Sequence, residues 1–509
     1  MTNTSAVSSL RRALIQLSSN APCRATRRFS IRALACIALV LAAPTAHARR
    51  TPSQVSAALP APVAKQLQKA KVPLSAVSVL VAKVGSRQPI IALNADQPMM
   101  TASTMKLITT FAGLSILGPD YRWRTSAYAR GTMDEHGVLH GTLYIKGTGD
   151  PKLVPEELID LVQKIHRAGI TGIDGSLVLD KSFFDVSTRD LPSFDGATLA
   201  PYNVGPDPLL YAFKSLIFTL TPSTDGTVAI DVLPSLASLR VDNTLRTTPG
   251  ACTGAESALK PAITQAASGT VDVRFSGNYP IRCATRSINL AVLDHTQFFA
   301  NGFLALWEQT GGTFSGTTYE GTVPSNAHLV AVHRGPVLAD IVHDINKFSN
   351  NVMARNLFLT IGAVVNQPPA TPEKSVNAIR AFLKSDALPV TDLTLTNGSG
   401  LSRDEQISAR ALAALLERAN ASPVAQAFVA SLPIVGVDGT MRNRLKAEPV
   451  LGNAHIKTGT LRDVRSIAGY VASADGNSYI VVSFINNARA EAARAAHDAL
   501  LQWVYEGPR

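Results

Sequence analysis

Thr101-Ala102-Ser103-Thr104-Met105-Lys106-Leu107-Ile108-Thr109-Thr110-Phe111-Ala112 decides how this chain is read. Its apolar positions recur with helical spacing, and the near absence of charge predicts a buried helix. Ser103 and Lys106 stand three residues apart at its start, on one face. A serine hydroxyl is a poor nucleophile until a base takes its proton. A lysine amine one turn away reaches it, provided burial or a neighbouring positive charge keeps that amine neutral. Taken alone, the spacing means little, because many proteins of this size contain a serine and a lysine three apart.

Two further elements give it meaning. Ser349-Asn350-Asn351 falls in a helical region, and Lys457-Thr458-Gly459 lies on a strand that runs on to Thr460. Lys457 supplies the positive charge that Lys106 needs, Ser349 relays a proton to a leaving amine, and Asn351 hydrogen-bonds a substrate amide. An oxyanion hole requires two N–H donors; the amides of Ser103 and Thr460 are the candidates. Gly459 leaves room for a substrate strand alongside. SxxK, SxN and KTG in this order, on helix, helix and strand, are the motif set of penicillin-binding proteins and class A β-lactamases.

Outward from the helix, Ala76–Lys83 and Ile90–Leu93 read as a hairpin, preceded by a helix over Val63–Ala70. At the other end of the chain, Ile456–Thr460, Ser466–Ser473 and Ser478–Asn486 read as three antiparallel strands, followed by an amphipathic helix over Glu491–Tyr505. Val337–Gly362 is strongly helical, with Pro368 and Pro372 breaking it, and Lys374–Leu383 and Ala409–Ala419 are further helices. Between Tyr121 and Pro324 the texture differs. Short strands at Leu143–Ile145, Ser176–Leu179, Val228–Val232 and Val271–Phe275 alternate with Gly, Pro and Asp turns, around a helix over Glu156–Ala168. The expected architecture is α+β: an antiparallel sheet flanked by helices, built from residues 49–120 and 325–509. Residues 121–324 are inserted as two small α+β or β-rich domains.

The chain resembles the penicillin-recognising serine acyl-transferases, with a transpeptidase-like (β-lactamase-like) catalytic domain. It is most similar to the low-molecular-mass class C penicillin-binding proteins, the D-alanyl-D-alanine carboxypeptidase/endopeptidase family. Further segments carry that resemblance: Gly147-Thr148-Gly149-Asp150-Pro151, Asn397-Gly398-Ser399-Gly400-Leu401-Ser402-Arg403 and Leu432-Pro433-Ile434-Val435-Gly436-Val437-Asp438-Gly439-Thr440. The long interval between Ser103 and Ser349, where family members carry inserted domains, adds to it. Asn350 departs from the family, in which Asp is common.

The resemblance implies attack by Ser103 on the D-Ala carbonyl of peptidoglycan stem peptides or of their crosslinks, then hydrolysis of the acyl-enzyme. It implies β-lactams as covalent inhibitors. It also implies that Thr458 and Thr460, with Lys457, hold the substrate carboxylate, and that Arg403 and Asp195 recognise the free end of a diaminopimelyl side chain. Two other readings compete: a β-lactamase of the same superfamily, whose separate deacylating Glu has no persuasive equivalent here beyond Glu373 and against which the long insertion argues, and a non-catalytic wall-binding scaffold.

The remaining features bound the setting. The 509 residues carry a net charge of +11. Arg11, Arg12, Arg24, Arg27, Arg28 and Arg32 supply over half of it, ahead of an apolar run from Ala33 to Ala43 and the small-x-small triplet Ala46-His47-Ala48. That order describes a signal peptide over residues 1–48, cleaved after Ala48, and export to the periplasm; the apolar run is too short for a hydrocarbon core of about 30 Å. The mild positive charge left after cleavage suits an anionic substrate or peripheral contact with membrane or wall, and gives no case for nucleic acid. Of four cysteines, Cys23 and Cys36 leave with the leader. Cys252 and Cys283 remain as one disulfide in an oxidising compartment, or as two buried thiols. No CxxC, HExxH or His/Cys cluster marks a metal site, and no cofactor is expected. His328, His333, His343 and His455 are scattered, and Ser103 lacks a GxSxG elbow.

Overall fold

The computed structural model describes residues 58–189, 192–253, 259–266, 269–388 and 391–508. The expected leader, with Cys23 and Cys36, lies outside the described residues.

Five antiparallel strands form the central sheet, in the order Ala454–Leu461, Val464–Ala472, Ser478–Asn486, Val77–Lys83, Pro89–Leu93. The ends of the chain therefore complete one sheet, as the strand patterns predict. Side chains alternate across a strand, and both faces of this sheet are covered. Val79, Val81, Val481 and Ile485 pack under the helices Ala61–Ala70 and Arg494–Tyr505. Leu80, Ile480, Val482 and Phe484 face the core built around the helix Lys106–Leu117. That helix is apolar all round, and everything from Lys106 to Leu114 is buried, as expected of a helix enclosed by other elements.

Val337–Gly362 is two helices, not one. Leu338–Phe348 ends at Ser349, whose φ of 57° is left-handed, and Asn350 then caps Asn351–Asn366 by accepting the Met353 N–H at 3.1 Å. A side-chain oxygen at this position satisfies a donor that the helix start leaves open. The departure from the family's Asp thus keeps a capping acceptor. The kink brings Ser349 and Asn351 to the end of two helices, where their side chains face the sheet edge.

The chain leaves this body after Leu117. A second five-stranded sheet runs Thr313–Glu320, Gly172–Asp180, Val138–Gly147, Arg122–Met133, His328–Val337. The strand at His328 therefore pairs with Arg122–Met133 in the inserted sheet, and the chain returns to the central body at Leu338. Two three-stranded sheets, built on Leu216–Pro222 and on Val271–Phe275, share one contiguous apolar core with this five-stranded sheet. Cys252 and Cys283 are joined there as a disulfide, Cα atoms 4.6 Å apart, closing a loop of sequence separation 31. Among the described residues, no helix is long and apolar enough to cross a membrane.

Candidate active site

Ser103 sits in a 3₁₀ turn, Ala102–Met105, that leads into the helix beginning at Lys106. In a 3₁₀ turn, side chains at i and i+3 eclipse one another, and Lys106 Nζ lies 3.0 Å from Ser103 Oγ. The same nitrogen donates to Asn351 Oδ1 at 2.6 Å and to the Ser399 carbonyl. The orientation of Asn351 follows from its own Nδ2, which donates to the Tyr202 carbonyl at 3.1 Å. Both acceptors lack a proton to give, so they take two N–H bonds from the amine. A neutral amine then has its lone pair left for the Ser103 hydroxyl.

The electrostatics favour that neutral form. Lys106 is fully buried, and burial first, then the charges of Lys457 and Arg355, push its ammonium well below the ordinary lysine range, against the opposing pull of Glu405. Lys457 is buried too, and burial lowers it to about 7. Its Nζ donates to Ser349 Oγ at 2.8 Å and to its own strand at the Thr458 carbonyl, also 2.8 Å. Two hydroxyl–amine pairs, Ser103–Lys106 and Ser349–Lys457, thus face one cleft.

Three further residues fix this arrangement and were not legible beforehand. Glu405, buried, accepts the backbone N–H groups of Thr396, Asn397 and Gly398 on one oxygen, at 2.8–2.9 Å, and that of Gly400 on the other at 2.7 Å. The loop of Asn397–Arg403 is wound round this carboxylate, which aims the Ser399 carbonyl at Lys106. Ser466 donates to the Thr101 carbonyl at 2.6 Å, joining the sheet to the nucleophile turn. Gly400 has a φ of +78°, and a Cβ there would lie 1.9 Å from the Ala102 carbonyl oxygen, so only glycine passes.

Ala454–Leu461 is an edge strand of the sheet. A Cβ on Gly459 would stand 2.9 Å from the Ser103 nitrogen. Thr460, the next residue along the strand, lines the same cleft as Ser103. The cleft encloses about 870 Å³ and is lined by Ser103, Ser349, Asn351, Thr458, Gly459 and Thr460. Arg403 and Asp195 line it as well. Arg403 is ion-paired with Asp463 and stacks over the Phe194 ring, 5.1 Å from its centroid. Asp195 accepts the Tyr202 hydroxyl at 2.6 Å and Asn203 Nδ2 at 2.8 Å, bonds that hold its carboxyl below the usual range. Both residues are therefore in the cleft, each with a partner of its own.

None of His328, His333, His343 and His455 lines the cleft. His497 does, but burial and the nearby Arg444 and Arg465 lower it to about 3, and its Nε2 faces Ser483 Oγ at 3.1 Å. Glu373 sits in the first turn of the helix Pro372–Ser385 and does not line the cleft. Asp438 accepts from Lys347 Nζ at 2.7 Å and from the Ile434 N–H at 2.7 Å, a structural clasp. Among the described residues no group of three His, Cys, Asp or Glu side chains is placed to hold a metal.

The sheet, the split body and the paired hydroxyl–amine groups define a penicillin-binding, β-lactamase-like fold carrying a serine peptidase site. The fold is shared with penicillin-binding protein 4 (dacB) of Haemophilus influenzae at a TM-score of 0.72 and 24% identity, over 87% of this chain and 99% of that one. A second structure of that protein, complexed with a β-lactam, gives a TM-score of 0.68.

The chain belongs to the D-Ala-D-Ala carboxypeptidase 3 (S13) family, whose profile matches residues 59–506. Among its relatives are a D-alanyl-D-alanine carboxypeptidase of Actinomadura sp. (strain R39), 27% identical over 83% of this chain and 80% of that protein, and the D-alanyl-D-alanine carboxypeptidase DacB of Haemophilus influenzae, 26% identical over 81% and 85%. The resemblance to class C penicillin-binding proteins holds: the protein is a serine-type carboxypeptidase of this family.

Proposed function

We propose that Ser103 is the acylated nucleophile and Lys106 its base, in hydrolysis of stem peptides ending in D-Ala-D-Ala and of the crosslinks made from them. The observation that carries the reading is the buried Lys106 Nζ, 3.0 Å from Ser103 Oγ, with Asn351 Oδ1 and the Ser399 carbonyl as acceptors for its N–H groups. The hydroxyl proton passes to Lys106 as Oγ adds to the penultimate D-Ala carbonyl, and the oxyanion is held by the amides of Ser103 and Thr460. As the C–N bond breaks, the leaving amine takes a proton from the Ser349 hydroxyl, which is hydrogen-bonded to Lys457, and Ser349 recovers it from the proton held on Lys106, so that Lys106 is neutral again. Water then enters, Lys106 takes its proton as the hydroxide adds to the ester carbonyl, and the same proton passes to Ser103 Oγ as the ester bond breaks.

A substrate strand pairs along the edge of Thr458–Leu461, past Gly459 and beyond Ala454–Ile456, which is already bridged to Pro433–Val435. Asn351 takes the amide of the acyl residue. Thr458 and Thr460, with Lys457, hold the carboxylate of the leaving residue. Arg403 and Asp195 receive the zwitterionic end of a diaminopimelyl side chain by exchanging their present partners, Asp463 and Tyr202. A β-lactam presents the same carbonyl and carboxylate and acylates Ser103. The setting is the periplasm, reached through a leader cleaved after Ala48, with the wall as the surface met there. The disulfide Cys252–Cys283 agrees with an oxidising compartment.

The test is digestion of purified muropeptides, monomeric pentapeptide and crosslinked dimer, with mass analysis. Loss of one alanine from the monomer shows carboxypeptidase action, and conversion of dimer to monomers shows endopeptidase action. Ser103→Ala should abolish both. Cleavage that survives in Ser103→Ala, or no cleavage of either substrate by the intact protein, would overturn the reading.

A further inference from the structure

A second cavity adjoins the catalytic cleft at Ser349. It encloses about 500 Å³, and Ser349, Asn351 and Tyr202 line both spaces. Part of its wall is the end of the helix Leu338–Phe348, where Phe348 stands 66% exposed. Another part comes from the inserted region. There Ile217, on the strand Leu216–Pro222, stands directly opposite Leu233, on Val228–Leu233, and both line the cavity. Leu233 is 63% exposed and Ile217 39%.

Phe213 lines the cavity as well, on a costly backbone. Ala212, Phe213 and Lys214 hold φ of 42°, 56° and 50°. Successive left-handed residues that carry a Cβ are strongly disfavoured. The run packs Phe213 against the catalytic core and against the cluster of Val204, Leu210, Ala291 and Val352. Such strain persists only where the surrounding structure holds it, and it gathers at ligand sites. Single exposed apolar side chains need no account, but several around one concave space mark a binding surface.

The place of the cavity says which part of a substrate it meets. Ser349 hands its proton to the leaving nitrogen, so the space past Ser349 lies on the side of the leaving residue. The carbon next to that nitrogen carries a carboxylate, turned to Lys457, Thr458 and Thr460, and a side chain that departs in another direction. In terminal D-Ala that side chain is a methyl group, which ends within the cleft. In a crosslink it is a methylene chain that leads on to a second stem peptide.

We propose that this cavity is the subsite for the aliphatic side chain of the leaving residue, where Ile217, Leu233 and Phe348 favour crosslinks over terminal D-Ala. The inference rests on the peptidase reading above and deepens it. The inserted region thereby helps to choose the bond that the catalytic body cleaves. Ile217, Leu233 and Phe348 are specificity-determining residues and do not touch the reacting carbonyl.

The experiment compares kcat/KM for an Nα-acyl peptide ending in D-Ala-D-norleucine with that for the same peptide ending in D-Ala-D-Ala. Both carry the carboxylate, so only the leaving side chain differs. The same comparison is made between crosslinked dimer and monomeric pentapeptide. It uses the intact protein, Leu233→Asn, Ile217→Asn and Leu233→Met. Both side chains stand exposed on the inserted sheet, so the variants keep their apolar core. Both ratios should fall about tenfold in each Asn variant, the least that a lost apolar contact to a methylene is worth in a pocket. Leu233→Met should keep them, and cleavage of D-Ala-D-Ala should hold near its normal rate. Either ratio unchanged in both Asn variants, or equal loss on both members of a pair, overturns the proposal. So does an intact protein that cleaves the norleucine peptide far more slowly than the alanine peptide.

If the intact protein cleaves none of the substrates, the peptidase reading fails by itself. The subsite is then decided by calorimetric binding of crosslinked dimer and monomeric pentapeptide. Tighter binding of the dimer that is lost in Leu233→Asn supports the subsite. No preference for the dimer, or a preference that survives Leu233→Asn, refutes it.

Discussion

Gly459→Ala tests whether the edge strand is registered against the nucleophile. The added methyl would lie 2.2 Å from Ser466 Oγ, 2.6 Å from the Thr101 carbonyl oxygen and 2.9 Å from the Ser103 nitrogen. Ser466 cannot swing aside freely, because its hydroxyl is the link to Thr101 at 2.6 Å. The other two contacts are backbone. Ordinary carbon contacts need about 3.5 Å, so strand and turn must separate by roughly 0.5–1 Å. Overpacking of this kind costs about 1–3 kcal/mol of stability.

The effect on chemistry is larger than that on folding. The displaced groups are the Ser103 amide and the strand that carries the Thr460 amide, and a misplacement of about 1 Å in a reacting array costs roughly 100-fold. The assay is the second-order rate of Ser103 acylation by benzylpenicillin, followed by intact mass, with thermal melting alongside. The expected result is a folded protein, its melting temperature a few degrees lower, acylating about 100-fold more slowly. Acylation within threefold of the unaltered protein would refute the claim that Gly459 and Ser103 are held in contact.

Lys457 pairs activity with a stability cost. Its folded pKa of about 7 lies below that of an exposed lysine near 10.4, so the unfolded chain binds more protons in between and stability rises with pH across that window. Lys457→Met should therefore acylate far more slowly, yet melt relatively higher at pH 6–7 than at pH 10; a melting difference that is flat with pH would count against it. For kcat/KM, the rising limb belongs to Lys106 losing its proton and the falling limb, near pH 7 in the free enzyme, to Lys457. Glu405→Gln keeps an acceptor for the Thr396–Gly398 amides but turns an NH₂ toward the Gly400 N–H. It should cost about 1–3 kcal/mol and move the rising limb to lower pH by removing a charge that favours the Lys106 ammonium; a shift to higher pH is the refuting outcome. Cys252→Ser with Cys283→Ser should lower stability by roughly 2–4 kcal/mol and leave acylation near its normal rate. A non-reducing peptide map should show the two linked in the exported protein.

What the sequence disclosed, and what it did not, divides along physical lines. Period-2 runs such as Ala76–Lys83 and Ser478–Asn486 carry their own evidence, and their outer position in the chain implied one sheet closed by both ends. The run His328–Val332 also reads as a strand from its residues, and nothing in it names its partner. Pairing is non-local, and only its ladder with Arg122–Met133 assigns it to the inserted sheet. The break at Ser349 was hidden because a left-handed serine leaves the apolar spacing on either side intact. At the site, side chains were legible and backbone was not. Ser103, Lys106, Ser349, Asn351 and Lys457 announced themselves by residue type and spacing; Ser103, Ser349 and Asn351 line one cleft, and the buried Lys106 and Lys457 reach them by hydrogen bonds from behind. The acceptor that completes the Lys106 shell is a carbonyl, that of Ser399, and any residue type could supply it. Its position depends on Glu405, whose value lies in four backbone bonds that leave no spacing rule behind. The site is therefore held by two kinds of constraint. Residue identity supplies the nucleophile and its charges. A buried carboxylate and two glycines without room for a methyl supply the geometry, and the Gly459 experiment measures how much of the rate that geometry provides.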